Sequence, residues 1–424
     1  MAKDITIYHD ILQSRFEGQG QLMNSRERVR AAIRHQPTDI LPVDFGGMRS
    51  TGINAVAYNR LLKALGVENR CARLYDVFQQ LAEPDPEVLE RLGGDVVQAH
   101  RLYPAFGIAI DRWRPSKLAD GSDCLVPYDY RPVRNAKGGF DILDPDGNVI
   151  SRMPNGGFYF DVIRHRFEDL EEPEDVDGVR FTPMSEKEMS FIENECRTLR
   201  ETTDKAILFA YGGNVFEAGQ TDFGFETFFC DLAANQEMLH RWFEKLTDCY
   251  LTELRALLPR IAPYIDVIQM GDDLGTQLTT QISPAMYREM IKPYHRKIYG
   301  YVRENFPEVK VFLHSCGAIC DLIPDLIDAG VEILNPVQIS ANGMDPAKLR
   351  REFGADLTFW GGGANMQTFV PTAAPDQIRE HVDGLIRTFY DGRGGYVFTQ
   401  VHNIQYNVEP EKILAIYDTA RRYR

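Results

Sequence analysis

His314 and Cys316 stand one residue apart where an apolar run, Val309-Lys310-Val311-Phe312-Leu313, gives way to Gly317. Alternate side chains of a strand share a face, so Phe312, His314 and Cys316 point one way while Val311 and Leu313 point the other. An imidazole and a thiol aimed at one point are a ligand pair for zinc, whose catalytic sites keep three protein ligands and one open position. The residue best placed to be third is His402, at the end of a later apolar run from Tyr396 to Val401. Cys320, one helical turn past Cys316, is a further thiol within reach. A lone H-x-C also has a plain reading, because a buried cysteine is usually a small hydrophobe and a lone histidine a satisfied core residue. Finding the pair and His402 at matching strand ends is what favours the metal.

The elements that must hold these residues are short and regularly spaced. Strands are expected at Ile40 to Phe45, Asp95 to Gln98, Ala206 to Tyr211, Asp266 to Met270, Val309 to Leu313, Val331 to Leu334, Leu357 to Trp360 and Tyr396 to Val401. Helical periodicity follows several of them, most clearly at Ile319, Leu322, Ile323, Leu326 and Ile327. Strand and helix in alternation predict an α/β fold with a parallel sheet. Eight such units favour a closed (β/α)8 TIM barrel over an open doubly wound sheet. Residues 1–24 read as an N-terminal extension, and the main domain, 25–424, begins where Ser25-Arg26-Glu27 offers a cap to a helix from Val29 to His35 that Pro37 stops. From Tyr103 to Phe181 the alternation fails, and the turn Asp144-Pro145-Asp146-Gly147-Asn148 between two apolar runs predicts an antiparallel β-hairpin insertion. Its aromatic residues Trp113, Tyr128, Tyr130, Phe158 and Tyr159 either wall a substrate pocket or pack on the barrel's flank.

Polar residues gather at the expected strand ends: Asp44 with Arg49, Asn214 with Glu217, Asp272 with Asp273, Asn335 with Gln338, Asn365 with Gln367, and His402 with Asn403. In a barrel that end carries the chemistry. Asp44, Arg49, Asp272 and Asn365 are the residues expected to orient substrate or metal ligands, and Glu217 is a candidate acid or base. Each has a structural reading beside it: Asp272, Asp273 and Asn365 as helix caps, and Asp44 as the ion-pair partner of Arg49.

Composition bounds the partners. The chain has 424 residues, 44% of them hydrophobic, and a formal charge of -15 at pH 7, which repels nucleic acid and anionic membranes. No run is long and apolar enough to cross a bilayer and no leader is evident at Met1 to Asp10, so a cytoplasmic protein is expected. Seven scattered cysteines fit reduced thiols, and a homo-oligomer is compatible with all of this.

Several segments resemble the uroporphyrinogen decarboxylase-like superfamily: Ser25-Arg26-Glu27-Arg28-Val29, Leu41-Pro42-Val43-Asp44-Phe45-Gly46-Gly47, Gly271-Asp272-Asp273-Leu274-Gly275, Leu313-His314-Ser315-Cys316-Gly317, Asn335-Pro336-Val337-Gln338, Phe359-Trp360-Gly361-Gly362-Gly363 and Val401-His402-Asn403-Ile404-Gln405. The resemblance implies a TIM barrel and one of two chemistries: the haem-pathway decarboxylation, or zinc-dependent methyl transfer with cobalamin carried on a separate corrinoid protein. The decarboxylases use an arginine-rich motif where this chain has Phe45-Gly46-Gly47-Met48-Arg49 with a single arginine, and one guanidinium cannot grip many carboxylates. The methyltransferases use H-x-C-G plus a distant cysteine as zinc ligands; His314 to Gly317 match the first part, and His402 stands where the cysteine is expected. The resemblance therefore implies a zinc methyltransferase acting on a small methoxy, methylamino or thiol compound with a corrinoid-binding protein as partner. A metal-free decarboxylase or lyase for a smaller acid, with Arg49 as its clamp, is the alternative.

Overall fold

The computed structural model describes residues 22–424. All but the last residues of the expected N-terminal extension lie outside them. Seven strands form one parallel sheet in the order Tyr396–Val397, Thr358–Trp360, Ile333–Asn335, Lys310–His314, Val267–Gly271, Ala206–Gly212 and Val96–Ala99. Each lies within a residue or two of an expected strand except the last in the chain, which stops four residues before Val401. The expected strand Ile40 to Phe45 is reduced to a single parallel bridge from Val43 to Phe398. Pro42 has no N–H to give, and the Val43 N–H goes to the Asp95 side chain at 2.9 Å instead of to a strand carbonyl. This short segment nevertheless joins the two edges of the curled sheet, because Asp44 N–H donates to the Phe398 carbonyl at 2.8 Å and Asp95 N–H to the Val43 carbonyl at 2.7 Å.

The inside of the curl is packed by Val96, Ala206, Leu208, Val267, Phe312, Ile333, Trp360 and Val397. Phe312 being here, and Val311 and Leu313 in the outer core, fixes the face on which His314 emerges. The N-terminal end of the curl is stoppered by helix Ser25–Ala32, whose Val29 and Ala32 join the inner cluster. Its cap is Asn24 rather than the expected Ser25: Asn24 accepts from Glu27 N–H and Glu27 bonds back to Asn24 N–H, both at 2.9 Å. Ser25 is drawn off to Asp95 at 2.8 Å, where Arg28 and Arg424 also converge. The helix ends at Ala32, short of His35, which takes a left-handed φ of 53°.

The helix expected after Cys316 begins late. Cys320–Leu322 forms a 3-10 turn and the α-helix runs Ile323–Ala329 with Pro324 in its first turn, the place where a residue without an N–H costs nothing. Between the strand Val96–Ala99 and helix Glu186–Thr202 the chain forms antiparallel pairs, Trp113–Lys117 with Asp123–Pro127, and a four-stranded antiparallel sheet of Val133–Arg134, Phe140–Leu143, Val149–Met153 and Asp161–Val162. Asp144 makes the expected turn by accepting from Asn148 N–H at 2.8 Å and Asp146 N–H at 3.0 Å. Among the described residues no helix is long and apolar enough to cross a membrane.

Candidate metal centre

His314 ends its strand directly opposite Asn335 and Gly271 in the neighbouring strands. Its ring is fixed from behind: Nδ1 lies 2.5 Å from the Asn335 amide oxygen, whose Nδ2 donates to the Trp360 carbonyl at 2.7 Å. That leaves Nε2 facing the mouth, as a second hydrogen bond does for metal-binding histidines. Two residues on, Cys316 Sγ lies 3.2 Å from that Nε2 and 3.5 Å from His402 Nδ1. Asp273 completes the group. Its Oδ1 lies 3.6 Å from His314 Nε2 and accepts the Cys316 N–H at 2.7 Å. Among the described residues, Asp273, His314 and Cys316 are the set of three whose donor atoms all lie within 4.8 Å of one another. His402 joins at the sulfur, outside that mutual radius.

The separations among Asp273, His314 and Cys316 are close to those around a zinc ion, and His402 meets that spacing at the Cys316 sulfur alone. Tetrahedral bonds of about 2.3 Å to sulfur and 2.0 to 2.1 Å to nitrogen place ligand atoms roughly 3.5 Å apart. The protonation states fit too. Burial pushes the His402 imidazole down to about 4, with the neighbouring His314 adding to the shift, so His402 is neutral and has a lone pair to offer. Its Nε2 is buried without a hydrogen-bond partner, and its backbone sits at φ 64°, a left-handed conformation that costs a non-glycine residue about 1 kcal/mol or more. Burial, then the charge of Asp273, pushes the Cys316 thiol well above its ordinary value. The sulfur thus keeps its proton until a cation takes the proton's place.

Two cavities meet at this group. One of about 510 Å³ is lined by Tyr159, Cys316, Met366, Gln367, His402 and Gln405, among others, and one of about 910 Å³ by Phe78, Phe181, Asn214, Glu217 and Tyr250, among others; Ser50, Gln79, Asp273 and His314 belong to both. Glu217 therefore faces the larger cavity beside Asp273. Burial, then the charges of Asp273 and Asp272, pushes its carboxyl up to about 8, so it is a proton-bearing acid at neutral pH. A carboxyl whose pKa is higher folded than unfolded lends stability that is complete at acid pH and is lost as pH rises, here from the ordinary 4.5 up to about 8. Metal-free Glu217→Gln should therefore match the parent's melting temperature near about pH 5 and exceed it by about pH 8. A difference constant across that range would refute the assignment.

Of the other expected site residues Arg49 alone lines one of these cavities, and of the structural readings set beside the rest the helix cap holds for Asp272. Asp44 is fully buried and accepts from Gly47 N–H at 2.7 Å, Thr51 Oγ at 2.9 Å and Trp360 Nε1 at 2.8 Å, clasping the loop after the first bridge. It does not pair with Arg49, whose partner is Asp76. Arg49 instead lines the larger cavity with Arg101, Arg166 and Arg180. Asp272 is the cap of a helix from another part of the chain, accepting from Val215, Phe216 and Glu217 N–H at 2.8 to 2.9 Å and from His295 Nε2 at 2.7 Å. Asn365 turns its own loop, accepting from Gln367 and Thr368 N–H at 3.1 Å. Neither Asp44, Asp272 nor Asn365 lines the two cavities. Cys320 is turned away, with Lys348 Nζ at 3.5 Å from its sulfur. Of the aromatic residues between 103 and 181, Tyr159 reaches the smaller cavity, Tyr130 is buried, and Trp113 lies under the Arg73 guanidinium at 4.9 Å. For Asp273 the sequence leaves a site role and a cap side by side, because nothing in Gly271-Asp272-Asp273 says which carboxylate turns inward.

Comparison with known proteins places the chain in a family. The model of the Uroporphyrinogen decarboxylase (URO-D) family matches residues 165–423. A uroporphyrinogen decarboxylase of Synechococcus sp. (strain JA-2-3B'a(2-13)) is 23% identical over 341 residues, 77% of this chain and 91% of its own. The chloroplastic uroporphyrinogen decarboxylase 2 of Oryza sativa subsp. japonica is 21% identical over 346 residues, 77% of this chain and 82% of its own. Among solved structures, a methyltransferase from Methanosarcina mazei shares the fold with a TM-score of 0.58 at 15% identity, over 95% of this chain and 99% of that one.

Proposed function

The chain belongs to the uroporphyrinogen decarboxylase family, and from that premise we propose that it is a zinc-dependent methyltransferase, moving a methyl group between a small methoxy, methylamino or thiol compound and a corrinoid carried by a partner protein. The observation that carries this reading is a thiol among the converging donors: Cys316 Sγ stands 3.2 Å from His314 Nε2 and 3.5 Å from His402 Nδ1 beside Asp273. Decarboxylation by this family's arginine-lined site has no use for a buried thiol, whereas zinc chemistry does. The cationic side of the larger cavity supports the same reading. Arg49, Arg101 and Arg166 are already matched to Asp76, Glu188 and Asp222, so no array of free guanidiniums remains for a substrate with many carboxylates.

His314, Cys316 and His402 would hold the metal, with Asp273 beside them as the other candidate for the third place. Zinc bound there supplies a Lewis acid for the heteroatom that exchanges the methyl group. The chain's own residues do the rest. Asn335 keeps the His314 ring oriented. Glu217, steadied by Asn214 Nδ2 at 2.7 Å, holds a proton next to Asp273 that the departing heteroatom can take. Ser50 and Gln79, common to both cavities, are placed to fix the donor compound between them. The barrel as one domain over 25–424, bearing the β-rich segment 103–181, is part of the same proposal.

The test is methyl transfer from a panel of methoxylated, methylaminated and thiomethyl compounds to a reduced corrinoid protein, followed by the corrinoid's absorbance, with uroporphyrinogen offered in parallel. The expected result is a change in the corrinoid spectrum with one class and no coproporphyrinogen. The relatives named as uroporphyrinogen decarboxylases favour a second reading, a metal-free decarboxylase, which on this chain would take a smaller acid held by Arg49. Coproporphyrinogen or carbon dioxide release by metal-free protein would establish that one instead.

A further inference from the structure

A third cavity, of about 780 Å³, lies on the flank between helices Pro86–Leu92 and Glu186–Thr202 and the strands Ala72–Asp76 and Asp123–Pro127, and none of its lining residues belongs to either cavity at the metal centre. Much of its wall is apolar, with Leu89, Leu125 and Leu199 beside the ring of Tyr58. At one end stand Gln98, His100, Glu83 and Glu195.

The hydrogen bonds at that end do not close. Gln98 Nε2 lies 2.8 Å from His100 Nδ1, so the Gln98 amide oxygen is left over, and it is buried without a partner. Glu195 Oε2 is likewise buried and unpartnered. Glu83 is already served, by Arg73 Nε at 2.5 Å and by His100 Nε2 at 3.8 Å. Arg73 is thereby neutralised, and it lies over Trp113. What remains is two acceptors, one a carboxylate, at the end of an apolar pocket. Buried acceptors of this kind are rare unless something donates to them.

A metal ion is the wrong donor. Among the described residues the convergent set of three lies at Cys316, not here, so Glu83, His100 and Glu195 are too spread to ligate one ion. Both acceptor oxygens are closed to water as the side chains stand, so hydration does not satisfy them. The volume falls in the range of small-molecule sites, roughly 300 to 1,000 Å³. We propose that this flank cavity is a second binding site, for an organic cation: a protonated amine that donates to Glu195 and Gln98, carried on an apolar body that fills the space against Leu89, Leu125 and Leu199. Burial pushes the Glu195 carboxyl up to about 7 against the opposing pull of His100 and Arg73, so a bound ammonium would add charge that these two do not supply.

The test is calorimetric titration of the full chain with three probes of similar shape: phenethylammonium, 2-phenylethanol and 3-phenylpropanoate. Phenethylammonium alone should bind, with one site per chain. Glu195→Gln should weaken it at least about tenfold, the scale of one charge-assisted hydrogen bond, while leaving zinc content and methyl transfer as in the parent. Gln98→Leu, which removes the other acceptor, should weaken it less and serves where Glu195→Gln fails to fold. Equal binding of all three probes, binding of none, or undiminished binding of the amine by a folded Glu195→Gln would each overturn the proposal.

Discussion

Cys316→Ser should strip the protein of zinc. Purified without added metal, the parent is expected to carry about one zinc per chain and the variant almost none, with methyl transfer lost alongside. The reason lies in the proton: burial and Asp273 hold the Cys316 thiol well above its ordinary value, yet zinc can still displace that proton because a thiolate is a soft, strongly bound ligand. A serine hydroxyl in the same place neither ionises at neutral pH nor binds comparably. Loss of a hydrogen-bond partner behind a ligand costs 10- to 100-fold in metal affinity, and loss of the ligand should cost more, at least about 100-fold. Metal analysis by mass spectrometry decides it, and a variant with the parent's zinc content would remove the metal assignment and with it the proposed reaction. Because the thiol gives up its proton on binding, zinc affinity should also fall as pH is lowered.

His402→Ala should lose most of the zinc, and His402→Cys should keep it. Nδ1 already sits 3.5 Å from the Cys316 sulfur, the separation tetrahedral bonds require. The imidazole is neutral, since burial pushes it down to about 4, and its Nε2 has no other buried partner to satisfy. A thiolate at 402 would reach the same point and bind as tightly, at the price of a left-handed backbone it tolerates no better than histidine does. Asp273→Asn separates the two possible third ligands. Its amide oxygen can still accept the Cys316 N–H, so the loop keeps its shape, and only the anionic donor is gone. If His402→Ala retains zinc and loses activity while Asp273→Asn loses zinc, the third ligand is Asp273 and His402 works on the substrate. Zinc content and kcat measured on both variants give that answer.

The amino-acid sequence by itself determined the repeating strand and helix units and the pairing of His314 with Cys316. Strand periodicity is local: Phe312 and His314 share a face whatever surrounds them, and the inner cluster then follows from which face is apolar. His402 was legible for the same reason, as the end of an apolar run, although the regular strand there is only Tyr396–Val397. The first strand was less so, because its ladder is made partly by the Asp95 side chain, a partner more than fifty residues away along the chain.

Tertiary structure alone decided which strand-end carboxylates face the cavities. Asp272 and Asp273 are adjacent and chemically identical, but consecutive residues point opposite ways. One is consumed by the amides of Val215, Phe216 and Glu217, and the other meets His314 and Cys316. The buried carboxylate of Asp44 is likewise taken up by the Trp360 indole, a donor far along the chain, whereas Asn365 is spent on the amides of its own loop. A side chain's chemistry is written in its residue type. Whether that chemistry is free to act depends on which long-range donors have already satisfied it, and buried polar groups leave few unsatisfied.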